Sequence, residues 1–473
     1  VYKRQVLDVC RDPRWGRVEE TAGEDPYLVS SQGNAYIAGL QGSTTQEKVV
    51  ATAKHFAGHG APEGGMNSAP PHISPRELRE VYLTPFEAAV RVADISSFMH
   101  AYHEIDGIPC IANKELLNDI LRDEWGFHGT MVSDYNGIEE LEQTHKMVPT
   151  LSEAAATTLE CGVDVELPST VGYGDPLKEA VESGRIDMSV IDKSVARILG
   201  QKFELGLFDD PFVDEAGVSE TEADRAVALD AARKSLVLLR NEGAVLPLAD
   251  STSTIAVIGP SSDDARLFLG DYSYAAALDL LREAVGRGHA FIGEMDGEVP
   301  LVDLSHIPTV LDSINTRAGD GVTVLHEVGC EINSEDTSRI AAAAEAASEA
   351  DVAVLVVGGL SGMHDEATTG EFRDRSDITL PGVQQDLVDA VVATGTPVVM
   401  VILSGRPLSP DLDGVSGLIH AWLPGDAGGD AIAGALFGDF SPGGKLPITV
   451  PRNVGQVPIY HGHKPTGGRS RLK

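Results

Sequence analysis

The octet G-T-M-V-S-D-Y-N at 129–136 ends a short run of strand formers, Thr130, Met131 and Val132, on a polar triplet. A buried parallel strand delivers a carboxylate to the rim of a sheet or barrel in this way. Asp134 is that carboxylate. Its competing role is to cap the next helix, because G-I-E-E-L-E-Q follows directly. Other ionisable groups stand at comparable places. Lys54 and His55 close V-V-A-T-A-K-H-F, Met99 and Tyr102 close I-S-S-F-M-H-A-Y, Asp164 and Glu166 end G-V-D-V-E-L, and R-D-P-R-W-G-R ends on Arg17. A lysine and a histidine at one strand terminus can donate to hydroxyl oxygens and keep a nearby carboxylate ionised. Taken singly, His55 would more simply be a satisfied core histidine, and Arg17 would pair with Glu20 or Glu24.

These residues need a scaffold, and the pattern around them is that of repeated strand-helix units. Helical spacing fills 75–91, 114–123 and 151–160 between the strand candidates, the first of which is V-L-D-V near residue 7. Alternation of this kind implies a parallel sheet covered by helices, with chemistry at the carboxyl ends of the strands. The five strand candidates before residue 208 cannot close an eight-stranded barrel, so further strands would lie before Val1. The composition shifts to an acidic, turn-rich stretch after Gly206, and an amphipathic helix is expected over 222–239. From Ser253 the alternation resumes through T-I-A-V-I-G, V-T-V-L-H-E-V, V-A-V-L-V-V-G-G, P-V-V-M-V-I-L-S-G and G-L-I-H-A-W-L-P-G, with helices at 338–350 and 382–394. The fold class is therefore α/β. A helix-covered parallel sheet is expected over 1–208, an interdomain connection with a packing helix over 209–252, a second α/β domain with a largely parallel sheet over 253–452 and a tail over 453–473. The opening I-A-V-I-G-P lacks the G-x-G-x-x-G of a dinucleotide site, and 279–302 reads as a surface excursion.

Composition narrows the function classes. The 473 residues exceed one ordinary core, and no apolar run approaches the roughly 20 residues of a membrane span. A net charge of −36 excludes nucleic acid and anionic membrane as partners, since both require basic patches. No lysine occurs between Lys234 and Lys445. An acidic, lysine-poor surface tolerates high salt, which screens its self-repulsion; equal stability in dilute and molar salt would refute salt adaptation. The cysteines Cys10, Cys110, Cys161 and Cys330 are scattered, with neither zinc spacing nor a disulfide framework.

Seven segments resemble glycoside hydrolase family 3, in family order. They are R-D-P-R-W-G-R-V-E-E-T-A-G-E-D-P-Y-L at 11–28, K-H-F-A-G-H-G at 54–60, M-H-A-Y-H-E-I-D-G-I-P at 99–109, W-G-F-H-G-T-M-V-S-D-Y at 125–135, K-S-L-V-L-L-R-N-E-G at 234–243, G-E-F-R-D-R at 370–375 and S-P-G-G-K-L-P-I-T-V-P at 441–451. The resemblance implies a (β/α)8 TIM-like barrel followed by an α/β sandwich, and a retaining, exo-acting β-glycosidase of the β-glucosidase or β-xylosidase type. It implies a small carbohydrate substrate and no metal or organic cofactor. It also implies that the start of the barrel, with a sugar-binding aspartate, and a C-terminal fibronectin-like domain lie outside this chain.

By the same resemblance Asp134 is the nucleophile and Glu371 the acid/base, with Glu366 in reserve. The family more often has glycine after this glutamate, whereas Phe372 follows here. The loop 359–381 is long, polar and glycine-bearing, suited to reach a site; without the family, Glu371 would be assigned to a solvated ion pair with Arg373 or Arg375. Arg17, Lys54 and His55 are the implied sugar-binding residues, and Met99 and Tyr102 the implied pocket walls. Trp15 and Trp422 are candidate stacking platforms. The family's β-N-acetylglucosaminidase branch carries an Asp-Ser-His dyad after K-H-F-x-G-H-G; here that loop, A-P-E-G-G-M-N-S-A-P-P-H, holds His72 without the aspartate.

Overall fold

The computed structural model describes residues 2–42, 49–212, 221–287 and 299–468. The chain forms two compact units, and neither is continuous. The first comprises Val1–Asp12, Glu20–Gly217 and Pro458–Lys473; the second comprises Pro13–Glu19 and Val218–Val457. The expected division at 209–252 and 453–473 thus differs from the compact units. The helix after residue 220 belongs with the second unit, the chain from Pro458 returns to the first, and seven residues of the N-terminal half are counted with the second.

The first unit is built on a parallel sheet in the order β1 (Tyr2–Val6), β2 (Val50–Phe56), β3 (Ser97–His100) and β6 (Thr130–Val132). Val165 adds a single parallel bridge to Val132 rather than the strand expected over G-V-D-V-E-L. The first strand ends on Val6, so only the first residue of V-L-D-V is in it, and Leu7, Asp8 and Val9 follow without regular secondary structure. All seven residues of β2 are buried, as in a strand covered on both faces. Between β3 and β6, a short hairpin joins β4 (Glu104–Ile105) to β5 (Ile108–Pro109) through Asp106 and Gly107, both at positive φ. An Asp-Gly pair in that geometry is a type I′ turn. The expected helix at 151–160 forms over Leu151–Glu160, where Thr150 caps the Glu153 N–H. The other two are less regular: 75–91 contains a wider turn at Leu78–Tyr82, and Glu115–Glu124 is π-helical throughout. Phe56, Phe86, Phe98 and Trp125 form the aromatic centre of this core.

The second unit has a six-stranded sheet in the order β7 (Val237–Asn241), β12 (Val415–Trp422), β11 (Val398–Leu403), β10 (Val352–Gly358), β8 (Thr254–Ile258) and β9 (Thr323–Glu327). All neighbours pair in parallel except β7, which runs antiparallel along β12. Alternate residues serve two apolar layers. Val354, Val356, Val399 and Val401 face one, whereas Ala353, Leu355, Val357 and Met400 face the other. A sheet buried on both sides produces the continuous apolar runs seen in the sequence. The helix expected over 222–239 stops at Ser235, and its last residues become β7. Thr221 and Asp224 start it with a capping box, but Ala232 is its only buried residue, so the expected strong apolar face is absent. Helix Tyr274–Gly286 covers the start of the expected excursion at 279–302, of which 288–298 lie outside the described residues. After β8 the chain makes a turn and a short 3-10 helix (Ala265–Phe268), not a phosphate-binding helix start. Among the described residues, no helix is long and apolar enough to cross a membrane.

Candidate active site

In the first unit, adjacent strand ends place Asp8, Lys54, His55, His100 and Asp134 along one rim, all of them buried. Asp134 stands two residues beyond β6. Its Oδ1 accepts the Tyr135 backbone N–H at 2.8 Å, and its own N–H donates to His100 Nε2 at 3.0 Å. His100 Nδ1 lies 2.9 Å from the Ala101 carbonyl, so the proton sits on Nδ1 and Nε2 is the acceptor. This is the neutral tautomer. Burial holds the imidazole below its ordinary pKa, although the Ala101 carbonyl and the Asp134 charge act the other way.

Asp134 does not cap its helix; Asn136, in the left-handed region, occupies the position before Gly137. His55 lies behind the carboxylate instead. Its Nδ1 is 2.8 Å from Asp8 Oδ2, and its Nε2 is 3.6 Å from Asp134 Oδ2. The second distance is an electrostatic contact rather than a hydrogen bond. The ladder between β2 and β3 is irregular between Ala53 and Phe56, the segment that carries Lys54 and His55. Lys54 Nζ is 3.8 Å from Glu20 Oε2. One turn into the next helix, burial first, then the Asp134 and Glu139 charges, push the Glu140 carboxyl up to about 7.

Met99 is buried within β3. Tyr102 is half-buried; its hydroxyl donates to the Tyr135 carbonyl at 3.1 Å, and its carbonyl accepts from His145 Nε2 at 2.9 Å. Asp164 and Glu166 have other work. Asp164 accepts from Arg122, Arg197, Ser194 and the Met131 N–H, tying the strand to two helices. Glu166 caps the turn at Gly172 and Tyr173.

Glu371 belongs to the second unit, in the loop after β10, and the segment Pro13–Glu19 docks on that loop. The Gly370 N–H donates to the Gly16 carbonyl at 2.9 Å, the Arg375 N–H to the Arg14 carbonyl at 3.0 Å, and the Gly16 N–H to Asp374 Oδ1 at 2.7 Å. Arg406 Nη1 completes the clamp on the Pro13 and Arg14 carbonyls. A Cβ at position 16 would lie 2.1 Å from the Gly370 carbonyl oxygen, so only glycine permits this approach.

Docking brings Arg17 Nη1 to 2.9 Å from Glu371 Oε1. The Tyr272 hydroxyl donates to Glu371 Oε2. The Glu371 N–H donates to Asp271 Oδ2 at 3.0 Å, and the Asp271 N–H to Glu19 Oε1 at 3.0 Å. Arg17 thus reaches a carboxylate far beyond Glu20 and Glu24 in the chain, and Glu371 pairs with neither Arg373 nor Arg375. Those two arginines hold Asp365 at 3.1 Å and Asp377 at 2.8 Å. Glu366 is exposed whereas Glu371 is buried.

Trp15 is fully buried and so offers no face for stacking, contrary to expectation. Trp422 is half-buried with its ring 3.9 Å from that of His420. His72 is exposed and lies 3.3 Å from Glu63. Asp8, His100, Asp271 and Tyr272 escaped the sequence reading. Asp8 interrupts an apolar run and His100 stands between two singled-out residues, but nothing in the sequence marks Tyr272.

The chemistry open to these groups follows from their partners. Asp134 is a shielded carboxylate at a strand end, able to attack an electrophilic carbon. Glu371 is a carboxyl group whose two oxygens face a guanidinium and a phenol, able to exchange a proton with a bound oxygen. Among the described residues, no group of three or more His, Cys, Asp or Glu is arranged to hold a metal ion.

The profile of the glycosyl hydrolase family 3 N terminal domain matches residues 5–200, and that of the C-terminal domain of the same family matches 236–471. A β-xylosidase of Formosa agariphila is 39% identical over 97% of this chain and 62% of its own length. A periplasmic β-glucosidase of Salmonella typhimurium is 35% identical over 98% of this chain and 60% of its own. The chain thus spans about three fifths of the length of these relatives. Among solved structures, a β-glucosidase of Listeria innocua in complex with glucose superposes with a TM-score of 0.84 at 32% identity, over 98% of this chain and 60% of that one. A β-glucosidase of Erythrobacter marinus gives 0.86 at 35% identity, over 98% and 62%.

Proposed function

The chain belongs to glycosyl hydrolase family 3, and from that premise we propose that its protein is a retaining, exo-acting β-glycosidase removing terminal β-linked glucose or xylose from oligosaccharides or glycosides. Asp134 attacks the anomeric carbon and forms a covalent glycosyl-enzyme. Glu371 gives a proton to the departing oxygen, then takes one from the water that releases the sugar. Retention requires both carboxyl groups at one glycosidic bond, about 5–5.5 Å apart.

The observation that carries the proposal is the environment of Asp134. One oxygen is fixed by a backbone N–H, the other faces the buried His55 imidazole, and the whole group terminates a parallel strand. Lys54 and Arg17 supply donors for sugar hydroxyls and Met99 and Tyr102 shape the walls, while His55, its ring nitrogens turned to Asp8 and Asp134, acts through the nucleophile. Arg17 acts also through Glu371, which it holds. The choice between glucose and xylose turns on room for one hydroxymethyl group, worth about 1–3 kcal/mol; relatives of both names are similar to this chain.

Mechanism-based labelling tests the assignment. A 2-deoxy-2-fluoro β-glucosyl or β-xylosyl fluoride should add one fluorosugar to the intact protein, located by peptide mass on Asp134 and absent in Asp134→Asn. Label on another carboxylate, or turnover undiminished in Asp134→Asn, would overturn it.

A further inference from the structure

Phe372, immediately after Glu371, has φ 65° and is 67% exposed. The Arg373 N–H donates to the Gly370 carbonyl at 3.1 Å, closing a tight turn with Phe372 at its third position. Positive φ at that position favours glycine or asparagine and strains a bulky side chain. The sequence therefore places an aromatic residue where the backbone disfavours it, and leaves its ring in water, where an apolar surface is unfavourable. Strain of this kind collects at functional sites. A second aromatic residue stands at the same carboxyl group: Tyr272, whose hydroxyl donates to Glu371, is 49% exposed.

We infer that Phe372 is a specificity-determining residue that binds the leaving group by stacking on an apolar ring face, that of an aryl aglycone or of a second pyranose. The inference rests on the reading of Glu371 as proton donor. A donor carboxyl lies about 3 Å from the departing oxygen, and consecutive Cα atoms are about 3.8 Å apart. Whatever is bonded to that oxygen accordingly passes within reach of a long side chain at position 372. Aromatic rings prefer offset or edge contacts with such faces and need no hydrogen-bond partner, so one phenyl group serves both kinds of leaving group.

The test compares substrates with and without a ring on the leaving side, using the whole protein. Phe372→Gly and Phe372→Asn remove the ring while suiting the backbone, so neither is expected to unfold the loop, and thermal midpoints should stay level or rise. With p-nitrophenyl β-glycosides and with cellobiose or xylobiose, kcat/KM should fall about five- to tenfold, mainly through KM. With the β-glycosyl fluoride, which has no ring to stack and no need of an acid, it should change less than about twofold. An equal loss on all substrates, or no loss on any, would overturn the role of Phe372. If the unsubstituted protein turns over none of them, the glycosidase reading itself fails, a result separable from the first.

Discussion

Arg17 and Glu371 are 354 positions apart, yet their side chains meet at 2.9 Å, with only 1% and 10% of their surfaces exposed. Removing one member of a buried pair leaves the other charge uncompensated, at a cost of about 3–5 kcal/mol. Arg17→Ala should therefore lower the unfolding free energy by about that amount, measured by urea denaturation. Arg17→Lys keeps the charge but loses the planar fork and should fall between. A variant as stable as the parent would mean that the pair contributes nothing to the fold.

The proposed role of Glu371 predicts a dependence on leaving group. General acid catalysis is worth about 10²–10⁴-fold. Glu371→Gln should lose that factor on cellobiose or a methyl glycoside, but much less on a 2,4-dinitrophenyl glycoside, whose phenolate departs unprotonated. Added azide should accelerate turnover of the dinitrophenyl substrate and yield a β-glycosyl azide. Uniform loss across leaving groups would assign Glu371 to structure rather than to proton transfer.

Gly16 offers a test that touches neither carboxyl. A methyl group at this position would sit 2.1 Å from the Gly370 carbonyl oxygen, so Gly16→Ala must push apart two backbones joined by a hydrogen bond of 2.9 Å and strain the 2.7 Å bond from the Gly16 N–H to the Asp374 carboxylate. Overpacking of this sort costs about 1–3 kcal/mol. The variant should be less stable and should lose activity most on substrates with poor leaving groups, because Arg17 moves with the loop. Gly200→Ala, in helix Met188–Glu204 with nothing within 4 Å of the new methyl, serves as control and should be neutral or stabilising.

How much of this was legible in the sequence depends on range. The strands β8, β10, β11 and β12 were plain, because runs such as V-A-V-L-V-V are buried on both faces and leave no polar phase to confuse. The strand β7 was hidden, since V-L-L continues the apolar spacing of the preceding helix and only pairing with β12 makes it extended. Likewise β1 reads Y-K-R-Q-V, a polar stretch held by its register on β2 rather than by pattern. Asp134 could be found because strand and carboxylate are adjacent in the chain. Its neighbours could not, because Asp8 reaches His55 across 47 residues and Tyr272 reaches Glu371 across 99. Such contacts are set by topology, which spacing does not encode.

Buried histidines give the protein a pH dependence whose sign is fixed. Burial pushes the His103 imidazole down to about 4 in the first unit and that of His420 down to about 3 in the second. In the unfolded chain both return to about 6.5. Between those values the unfolded state binds protons that the folded state refuses, so stability is full above about pH 6.5 and is lost as pH falls towards 4. His103 alone accounts for about 3 kcal/mol across that window. Glu140 acts in the opposite sense. Its carboxyl, pushed up to about 7, keeps a proton in the folded state that the unfolded chain releases above about 4.5, so its contribution declines as pH rises. The histidines outweigh it, and urea midpoints should increase from pH 4.5 to 6.5. His103→Gln should flatten the rise and Glu140→Gln should steepen it. Identical midpoints at the two pH values, or a flatter profile in Glu140→Gln, would contradict the assignment of these groups.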